Sequence, residues 1–432
     1  MSALLAPPYD VQAEIRRTLP AQRKHLGRLQ SAACDLRRFT RREGARLEAA
    51  LAPRLASFAL SLFGSPYYVE RLRAEGLSPR DLRTPADLAA FPLLGREALR
   101  EQQDLMACLG ESSGGLIFDR STGSTGLPIR VLKDSYDTVH PWAVLRFWME
   151  TLGVHAPGRP DRVALLCALP HGVEYTVEPP ALRGGVLRRI SLARPEPLRR
   201  LLDFDPQVLF TDPAGLHWLM AQPATPCPRI ALSSGQHLPN ALREEAGARL
   251  GAPVVNYYAT TETGPVAWEC LARPGRFHVL HPDVWVESVA GELVVTRLRP
   301  SVLPLLRYRT GDAGTVEPEA CPCGYRGRSI VGLGGRSICT FVTPDGRRVD
   351  AWQLAWIFKH AALSEFRLTQ TGPADFSLEV TPTDGDREPP LVARLGAALE
   401  SLGWPLPRFI VRSASPGDAP TKPEPFRRSW AP

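Results

Sequence analysis

The segment APVVNYYATTETG, residues 252–264, carries the clearest signal of the fold class. Its first half is an apolar run of the length of a buried strand, and its second half clusters hydroxyl side chains around one carboxylate. Longer segments separate other runs of this kind: GLIFD at 115–119, RVALLCAL at 162–169, VLFTD at 208–212, RIALSSG at 229–235 and GELVVTRL at 291–298. This alternation predicts an α/β core, in which ligands bind beyond the carboxyl ends of the strands.

The segments on either side of this core predict two further regions. From about residue 11 to residue 100 the periodicity is mostly helical. Its clearest apolar positions are Leu47, Leu51, Leu55, Phe58 and Leu62. After about Gly335, TFVTPDGRRVD is typical of a hairpin, and a helix is expected around Ala351 to Leu363. We therefore predict a helical N-terminal extension at 1–65, a large domain at 66–335 and a small α+β domain at 336–432.

The composition indicates a globular, cytoplasmic protein without a membrane segment. The chain has 432 residues, is 44% apolar and contains no run of about 18 apolar residues, the length that a membrane helix requires. The N-terminus, MSALLAPPYDVQAE, lacks the basic start and apolar core of a signal peptide. The eight cysteines are scattered apart from one pair, which predicts reduced thiols rather than a disulfide framework.

The net charge of +7 is concentrated at the start of the chain. Residues 1–50 hold ten basic and five acidic side chains, which gives +5. A solvated helical face is the plainer interpretation, because no aromatic-interleaved motif accompanies the charge, and we do not expect nucleic acid as a partner. Such an arm would also suit an acidic carrier protein.

The first polar cluster, RSTGSTGLP at 120–128, has the composition of a phosphate-binding loop. Glycine permits close approach of the backbone, and Ser and Thr add hydroxyl donors. Leu127 and Pro128 follow the last glycine where a Walker motif requires Lys and Ser or Thr, so a P-loop NTPase is disfavoured. An ordinary loop is the alternative.

Two further clusters offer carboxylates. Glu262, flanked by Thr261 and Thr263, is a hard oxygen donor suited to Mg²⁺, and the alternative is a strand-end turn with a solvated Glu. In PLLRYRTGD at 304–312, Asp312 could accept from a ribose diol, while the arginines could meet phosphate or hold the loop by salt bridges. A turn with structural arginines is the alternative there.

In this order, the three clusters resemble those of the adenylate-forming enzymes, specifically the phenylacetate-CoA ligase-like branch. The family's phosphate loop is similar to 121–128, its Tyr-x-x-Thr-Glu element to 258–262, and its Tyr-Arg-Thr-Gly-Asp element is matched letter for letter by 308–312. GELVVTRL before that element and CPCG at 321–324 after it are typical of the branch. The resemblance covers roughly residues 67–428.

The resemblance implies a large multi-layer N-terminal domain of the acyl-adenylate-forming type and a small, mobile α+β C-terminal domain. It implies ATP-dependent activation of a carboxylic acid, release of pyrophosphate and acyl transfer to CoA. An amine or an acyl-carrier protein is an alternative acceptor, and an aryl or apolar acid is favoured if Trp142, Trp148 and Tyr175 line the pocket. A non-catalytic nucleotide-binding relative that acts through a partner is the second hypothesis, and a homodimer remains open.

The resemblance also implies roles for single residues. ATP phosphates would be held by Ser121, Thr122, Gly123, Ser124, Thr125 and Gly126. Ser234 and Gly235 would line the adenine site, Tyr258 would lie against adenine, Asp312 would hold the ribose and Arg336 would lie at the domain junction. Thr261 would touch the α-phosphate, Glu262 would bind Mg²⁺ and Lys422 is the candidate for the catalytic lysine.

Four residues suggest a structural zinc site. Cys270, His278, Cys321 and Cys323 offer three thiolates and one imidazole, the donor set that tetrahedral Zn²⁺ takes when no position stays open for catalysis. Buried free cysteines with a satisfied histidine are the alternative, since Cys-x-Cys is tighter than the usual Cys-x-x-Cys. The resemblance favours zinc, and His281 is the competing imidazole.

The sequence departs from the family pattern at two places. Ile338 and Cys339 stand where a Gly-Arg-Ser-Asp-Asp junction carries its acidic hinge residue. Around Lys422, Thr421 replaces the expected glycine and Pro425 the expected arginine. These departures predict that domain rotation and the second half-reaction are the less secure part of the function.

Overall fold

The computed structural model describes residues 20–108, 116–120, 129–154, 160–168, 173–182, 184–236, 238–334, 339–354, 357–358, 363–382, 388–413 and 426–430. Helices dominate the first of these ranges: α1 (Leu26–Phe39), α2 (Gly44–Leu62), α3 (Pro66–Ala74) and α4 (Arg96–Met106). All five predicted apolar positions of α2 are buried, which confirms the helical periodicity. The helix ends before Ser65, whose Oγ accepts from the Tyr68 amide and caps α3.

The five predicted runs from residue 162 onward are strands of one twelve-stranded sheet. Its strands are β3 (Arg162–Cys167), β4 (Tyr175–Val177), β5 (Val186–Ser191), β6 (Val208–Thr211), β7 (Ile230–Ser233), β8 (Val254–Thr260), β9 (Gly264–Cys270), β10 (Arg273–Val279), β11 (Val284–Val289), β12 (Glu292–Arg297), β13 (Tyr308–Glu317) and β14 (Ser329–Gly334). Their order in the sheet is β11-β12-β13-β14-β10-β9-β8-β7-β6-β3-β5-β4. The run GLIFD instead contributes β1 (Ile117–Arg120), which pairs with β2 (Arg130–Lys133) in a separate ribbon.

The parallel part of the sheet is covered by helices on both faces. Strands β5, β3, β6, β7 and β8 are parallel neighbours. The inner strands β3, β6 and β7 are mostly buried on both faces, so their sequences are almost continuously apolar. The covering helices are α5 (Ser135–Thr151), α6 (Pro197–Phe204), α7 (Pro213–Met220) and α8 (Asn240–Leu250). Residues of α5 share one apolar cluster with β8 and β9, and residues of α6 to α8 share another with β6 and β7. The predicted α/β fold class is confirmed.

The C-terminal segment builds a core of its own. The strands β15 (Thr340–Val342) and β16 (Arg348–Asp350) form the predicted hairpin. A four-stranded sheet, β19-β18-β17-β20, and one helix follow: β17 (Leu363–Gln370), β18 (Asp375–Pro382), α9 (Glu388–Leu402), β19 (Arg408–Ser413) and β20 (Phe426–Arg428). Buried members of this core all fall between Phe341 and Phe426. The prediction of a helix up to Leu363 was wrong at its C-terminal end, because Leu363 already pairs with Pro382 in the β17–β18 ladder.

Within the described ranges, no single helix is both long and apolar enough to cross a membrane. Helices α2 and α3 meet such a criterion only when taken together, and they are bent by 97° relative to one another.

Candidate active site

The predicted site residues divide into two sets. The loop residues Ser121 to Gly126, Arg336 and Lys422 lie outside the described residues, so their roles stay predictions. Ser234, Gly235, Tyr258, Thr261, Glu262 and Asp312 are described, and so are the four candidate zinc ligands. Most of this second set lies on β8, on β13 or at the ends of β7 and β8.

Glu262 lies in a tight turn between two antiparallel strands. β8 ends at Thr260 and β9 begins at Gly264, and these two residues are direct partners in the ladder. The Thr260 Oγ1 accepts the Thr263 amide at 3.0 Å, and the hydroxyls of Thr260 and Thr263 lie 2.9 Å apart. Gly264 has φ of +72°, a left-handed conformation that glycine adopts without strain. The threonines of this motif therefore shape the turn on which Glu262 sits.

The Glu262 side chain is buried in this turn. The residue is only 4% exposed, which rules out the alternative of a solvated carboxylate. Its Oε1 lies 3.5 Å from Nη1 of Arg96, longer than the roughly 2.8 Å of a close charge-assisted hydrogen bond. A buried carboxylate needs a compensating charge, and such a loose contact with one arginine leaves room for a cation to share the oxygens. The sequence had offered no motif that marks Arg96.

Tyr258 connects the second cluster to the third. Its hydroxyl donates to Oδ2 of Asp312 at 2.9 Å, although the two residues are 54 positions apart. Asp312 lies in the middle of β13, directly after Gly311, whose φ is +78°. The Asp312 amide donates to Oγ1 of Thr310 at 3.2 Å. The last two predicted clusters therefore meet, with the Asp312 carboxylate oriented by the tyrosine.

The two arginines of the third cluster are structural. Arg307 is buried and its guanidinium donates to the carbonyl oxygens of Ala89 and Phe91 and to both carboxylate oxygens of Glu287. Arg309 donates to Oε2 of Glu292 at 2.5 and 2.8 Å. Of the two roles left open for them, holding the loop by salt bridges is the one observed.

Ser234 and Gly235 follow the end of β7. The Ser234 amide donates to the carbonyl oxygen of Thr211 at 3.2 Å, and Gly235 turns the chain with φ of +83°. Burial raises the pKa of Tyr257 to about 12, and a hydrogen bond with the Ser234 side chain opposes that rise. Nearby, Oγ of Ser233 and Nε2 of Gln236 are buried without a hydrogen-bond partner among the described residues. This loop therefore offers polar atoms that a bound molecule could satisfy.

The four candidate zinc ligands converge. Their ligand atoms all lie within 4.8 Å of one another. Sγ of Cys270 is 3.7 Å from Sγ of Cys321, and Sγ of Cys323 is 3.6 Å from Nε2 of His278. Tetrahedral zinc with Zn–S of about 2.3 Å and Zn–N of about 2.0 Å requires edges of about 3.8 and 3.6 Å. The donor set and its spacing therefore fit the metal.

Local structure explains why these residues meet. Cys270 ends β9, His278 lies on the paired strand β10, and the two other cysteines lie in the loop between β13 and β14. In that loop the Gly324 amide donates to the carbonyl oxygen of Cys321 at 3.0 Å, and Gly324 has φ of +99°. This tight turn brings both cysteine sulfur atoms to the same site, although Cys-x-Cys is shorter than the usual Cys-x-x-Cys spacing.

Protonation in the cluster is compatible with metal binding. Burial, with Arg276 nearby, lowers the pKa of His278 to about 3, so its imidazole is the neutral ligand form at pH 7. Burial raises the pKa of the Cys270 thiol to about 12, so a thiolate there requires a cation. The competing imidazole, His281, lies outside the cluster, and its Nδ1 is 3.1 Å from the carbonyl oxygen of Val284.

Sequence comparison finds relatives for somewhat less than two thirds of this chain. No protein-family model matches the chain. The phenylacetate-coenzyme A ligase of Aromatoleum evansii is 24% identical over 309 residues, which cover 63% of this chain and 66% of that relative. The phenylacetate-coenzyme A ligase of Pseudomonas putida is 25% identical over 317 residues, which cover 64% and 69%. The match therefore spans about two thirds of the relatives' own length.

Structure comparison extends over almost the whole chain. A 2-hydroxyisobutyryl-CoA ligase solved with 2-HIB-AMP and CoA in the thioesterification state has a TM-score of 0.59 at 16% identity, over 91% of this chain and 92% of that one. The same ligase in the postadenylation state gives 0.56, over 90% and 91%. Identity this low establishes the shared fold only. The predicted fold type and the predicted resemblance are both confirmed.

Proposed function

We propose that this chain, which is similar in sequence to phenylacetate-CoA ligases and shares the fold of an adenylate-forming CoA ligase, activates a carboxylic acid with ATP. The products of the first step would be an acyl-adenylate and pyrophosphate. The observation that carries the proposal is the 2.9 Å hydrogen bond from Tyr258 to Asp312, because it joins two separate nucleotide-binding motifs next to the turn that bears Glu262.

The chemistry requires positioning more than covalent catalysis. A carboxylate oxygen attacks the α-phosphorus in line and pyrophosphate leaves, so two anions must be held together against their repulsion. Glu262 is the residue that would hold Mg²⁺, which when bound offsets negative charge on the phosphates. Asp312 would accept from the ribose hydroxyls, and Thr261 would donate to the α-phosphate. The phosphate loop at 121–126, Arg336 and Lys422 complete the proposed site.

The side chains beside this site favour an aryl or apolar acid. The ring of Tyr257, next to Tyr258 on β8, lies 4.8 Å from the ring of Trp148 and 5.2 Å from that of Phe210. Trp142 and Tyr175 are partly buried against the same apolar cluster. If these rings line the pocket for the acid, they would stack on a flat or apolar group and exclude water.

CoA is the proposed acceptor of the acyl group. The two sequence relatives described above are CoA ligases by name, and the fold neighbour with a TM-score of 0.59 was solved with CoA bound. An amine or an acidic acyl-carrier protein remains the alternative, and the exposed residues Arg38, Arg41 and Arg42 would attract such a carrier. The cytoplasmic location and the homodimer stay predictions.

Carboxylate-dependent exchange of pyrophosphate into ATP tests the proposal. We expect the purified chain to exchange with at least one acid of a panel of aryl, short-chain and amino acids. Glu262→Gln should lower the rate by about 10²- to 10³-fold, because the amide cannot hold the cation that offsets the phosphate charge. Lys422→Ala should also lower it if this lysine acts in adenylation.

Glu379→Gln is the matched control. It removes a partly buried carboxylate of β18 that pairs with Arg367 at 3.0 Å in the C-terminal sheet, and exchange should be unchanged. ATP binding without exchange across the whole panel would contradict the proposal and favour the non-catalytic relative.

A further inference from the structure

Two buried arginines hold the backbone of the turn that carries Glu262. Arg297, the last residue of β12, donates from Nη1 to the carbonyl oxygen of Glu262 at 3.1 Å. Arg299, two residues later, donates from Nη1 to the carbonyl oxygen of Thr263 at 3.0 Å. We call these two residues the arginine clamp. Because their side chains are 0% and 3% exposed, both hydrogen bonds are shielded from water.

The positive charges of the clamp are compensated by a residue from a different element. Asp137, in the first turn of α5, lies with Oδ1 3.5 Å from Nη2 of Arg299 and 4.0 Å from Nη1 of Arg297. Its Oδ2 accepts from Oγ of Ser301 at 2.6 Å, and Arg297 in turn donates from Nη2 to that Oγ and to the carbonyl oxygen of Leu303. Burial acts to raise the pKa of Asp137, but the two arginines and Ser301 hold it below its usual range. The carboxylate is therefore ionised in the fold.

The turn is shaped to receive the clamp. A Cβ at Gly264 would lie 3.1 Å from Nη2 of Arg299, so glycine lets the guanidinium approach the backbone closely. The backbone of Arg299 is itself held, since its amide and that of Leu298 donate to the carbonyl oxygen of Asp283 at 3.0 and 2.8 Å. Turn, clamp and α5 thus form one connected polar unit.

We propose that Asp137 and the arginine clamp are positioning residues that fix the Glu262 carboxylate where the cation binds. Buried ion pairs contribute little net stability compared with apolar residues of similar volume, so packing alone is a poor reason for two arginines here. Their donors reach two successive carbonyls of the one turn that bears the candidate metal ligand. A displacement of about 1 Å at such a site can cost about 10²-fold in rate.

The catalytic consequence rests on the proposed function, so the experiment has two readouts. Asp137→Asn keeps the side-chain shape and removes the charge that compensates the clamp. Hydrogen–deuterium exchange of peptides covering 259–266 reads the turn directly, through the Thr263 amide that donates to Thr260. Pyrophosphate exchange as a function of Mg²⁺ concentration reads its effect on the site.

We expect deuterium uptake in the turn to quicken by about 10-fold or more in Asp137→Asn, and the Mg²⁺ concentration for half-maximal exchange to rise several-fold. Ser301→Ala, which removes the hydrogen bonds of the Ser301 hydroxyl with Asp137, Arg297 and the Leu303 amide and leaves all charges, should shift both readouts in the same direction by less. It keeps the proposal testable if Asp137→Asn does not fold. Arg299→Lys keeps the positive charge but cannot reach both the Thr263 carbonyl and Asp137 with separate nitrogen atoms. Its effects on deuterium uptake and on the Mg²⁺ dependence should lie between those of Ser301→Ala and Asp137→Asn.

Glu287→Gln is the matched control. Glu287 compensates Arg307, which donates to the carbonyls of Ala89 and Phe91 rather than to the turn, so uptake at 259–266 and the Mg²⁺ dependence should not change. Unchanged uptake in Asp137→Asn and Ser301→Ala would overturn the proposal, and so would a loosened turn with unchanged Mg²⁺ dependence. If the unaltered chain exchanged with no acid, the proposed function would fail, while deuterium uptake would still decide whether the clamp holds the turn.

Discussion

At the scale of single residues, a buried histidine makes the stability of this protein depend on pH. Burial, with Arg328 nearby, lowers the pKa of His281 to about 3, although the Val284 carbonyl and the Asp283 carboxylate act in the opposite direction. Its Nε2 has no hydrogen-bond partner within the described part of the chain. The unfolded chain, with the ordinary value of about 6.5, therefore binds one more proton between pH 6.5 and pH 3. Stability falls as the pH falls through that window.

His281→Asn should weaken this dependence. Asparagine does not titrate, and its amide can take the place of Nδ1 as donor to the Val284 carbonyl. As the pH falls below 6, the free energy of unfolding of His281→Asn should decrease by about 1 kcal/mol less per pH unit than that of the unaltered chain. Urea unfolding at pH 7, 6, 5 and 4 measures it. Parallel pH profiles for the two proteins would show that His281 is not the group responsible.

At the scale of secondary-structure elements, the Cys and His cluster connects a hairpin to a distant loop. Cys270 and His278 belong to β9 and β10, whereas Cys321 and Cys323 follow β13. A metal ion at this point would connect segments about 50 residues apart, as the separation of Cys270 and Cys321 shows. Such a closed site contributes to folding rather than to catalysis.

We predict one zinc ion per chain, held by these four residues. Cys321→Ser should lose the metal and lower the melting temperature by at least about 5 °C, because the folded state loses the free energy of metal binding. Elemental analysis and thermal unfolding with and without a chelator measure both effects. Cys227→Ser, which changes an exposed cysteine outside the cluster, should change neither. A metal-free chain with an unchanged melting temperature after chelation would refute the site.

At the scale of the whole molecule, the apolar cores are separate along the chain. Among the described residues, the cluster built from β15 to β20 and α9 has no buried member before Phe341, and the clusters of the central sheet have none after Ile330. A core composed of one continuous segment can fold by itself. This separation supports the predicted domain boundary near residue 336, which stays a prediction.

A fragment of residues 1–338 tests that boundary. It should unfold cooperatively within about 5 °C of the main transition of the full chain, because it keeps every buried residue of the central sheet. It should also lose pyrophosphate exchange if Lys422 acts in adenylation. Circular dichroism and the exchange assay are the measurements. An unfolded fragment would show that the two regions form one cooperative unit.

Much of the fold was predictable because its signals are local. The apolar runs at 162–169, 208–212, 229–235, 252–258 and 291–298 are strands of one sheet, and the helical period around Leu55 was confirmed. The burial pattern of a strand or helix is written in its own adjacent residues, so the element can be predicted without knowing which element packs against it. The run at 115–119 was less informative, because only its pairing with β2 places it outside the main sheet.

The candidate site was predictable only in part, for a related reason. Local sequence was enough to predict the strands, a turn after β8 as one of two interpretations, and the donor types of the Cys and His cluster, since each is set by neighbouring residues or residue chemistry. The three-dimensional fold was needed to show that Tyr258 contacts Asp312, that Arg307 donates to the Phe91 carbonyl, and that Ser301 contacts Asp137, 164 positions away. Partner choice over such distances depends on the order of strands in the sheet, which no local pattern encodes.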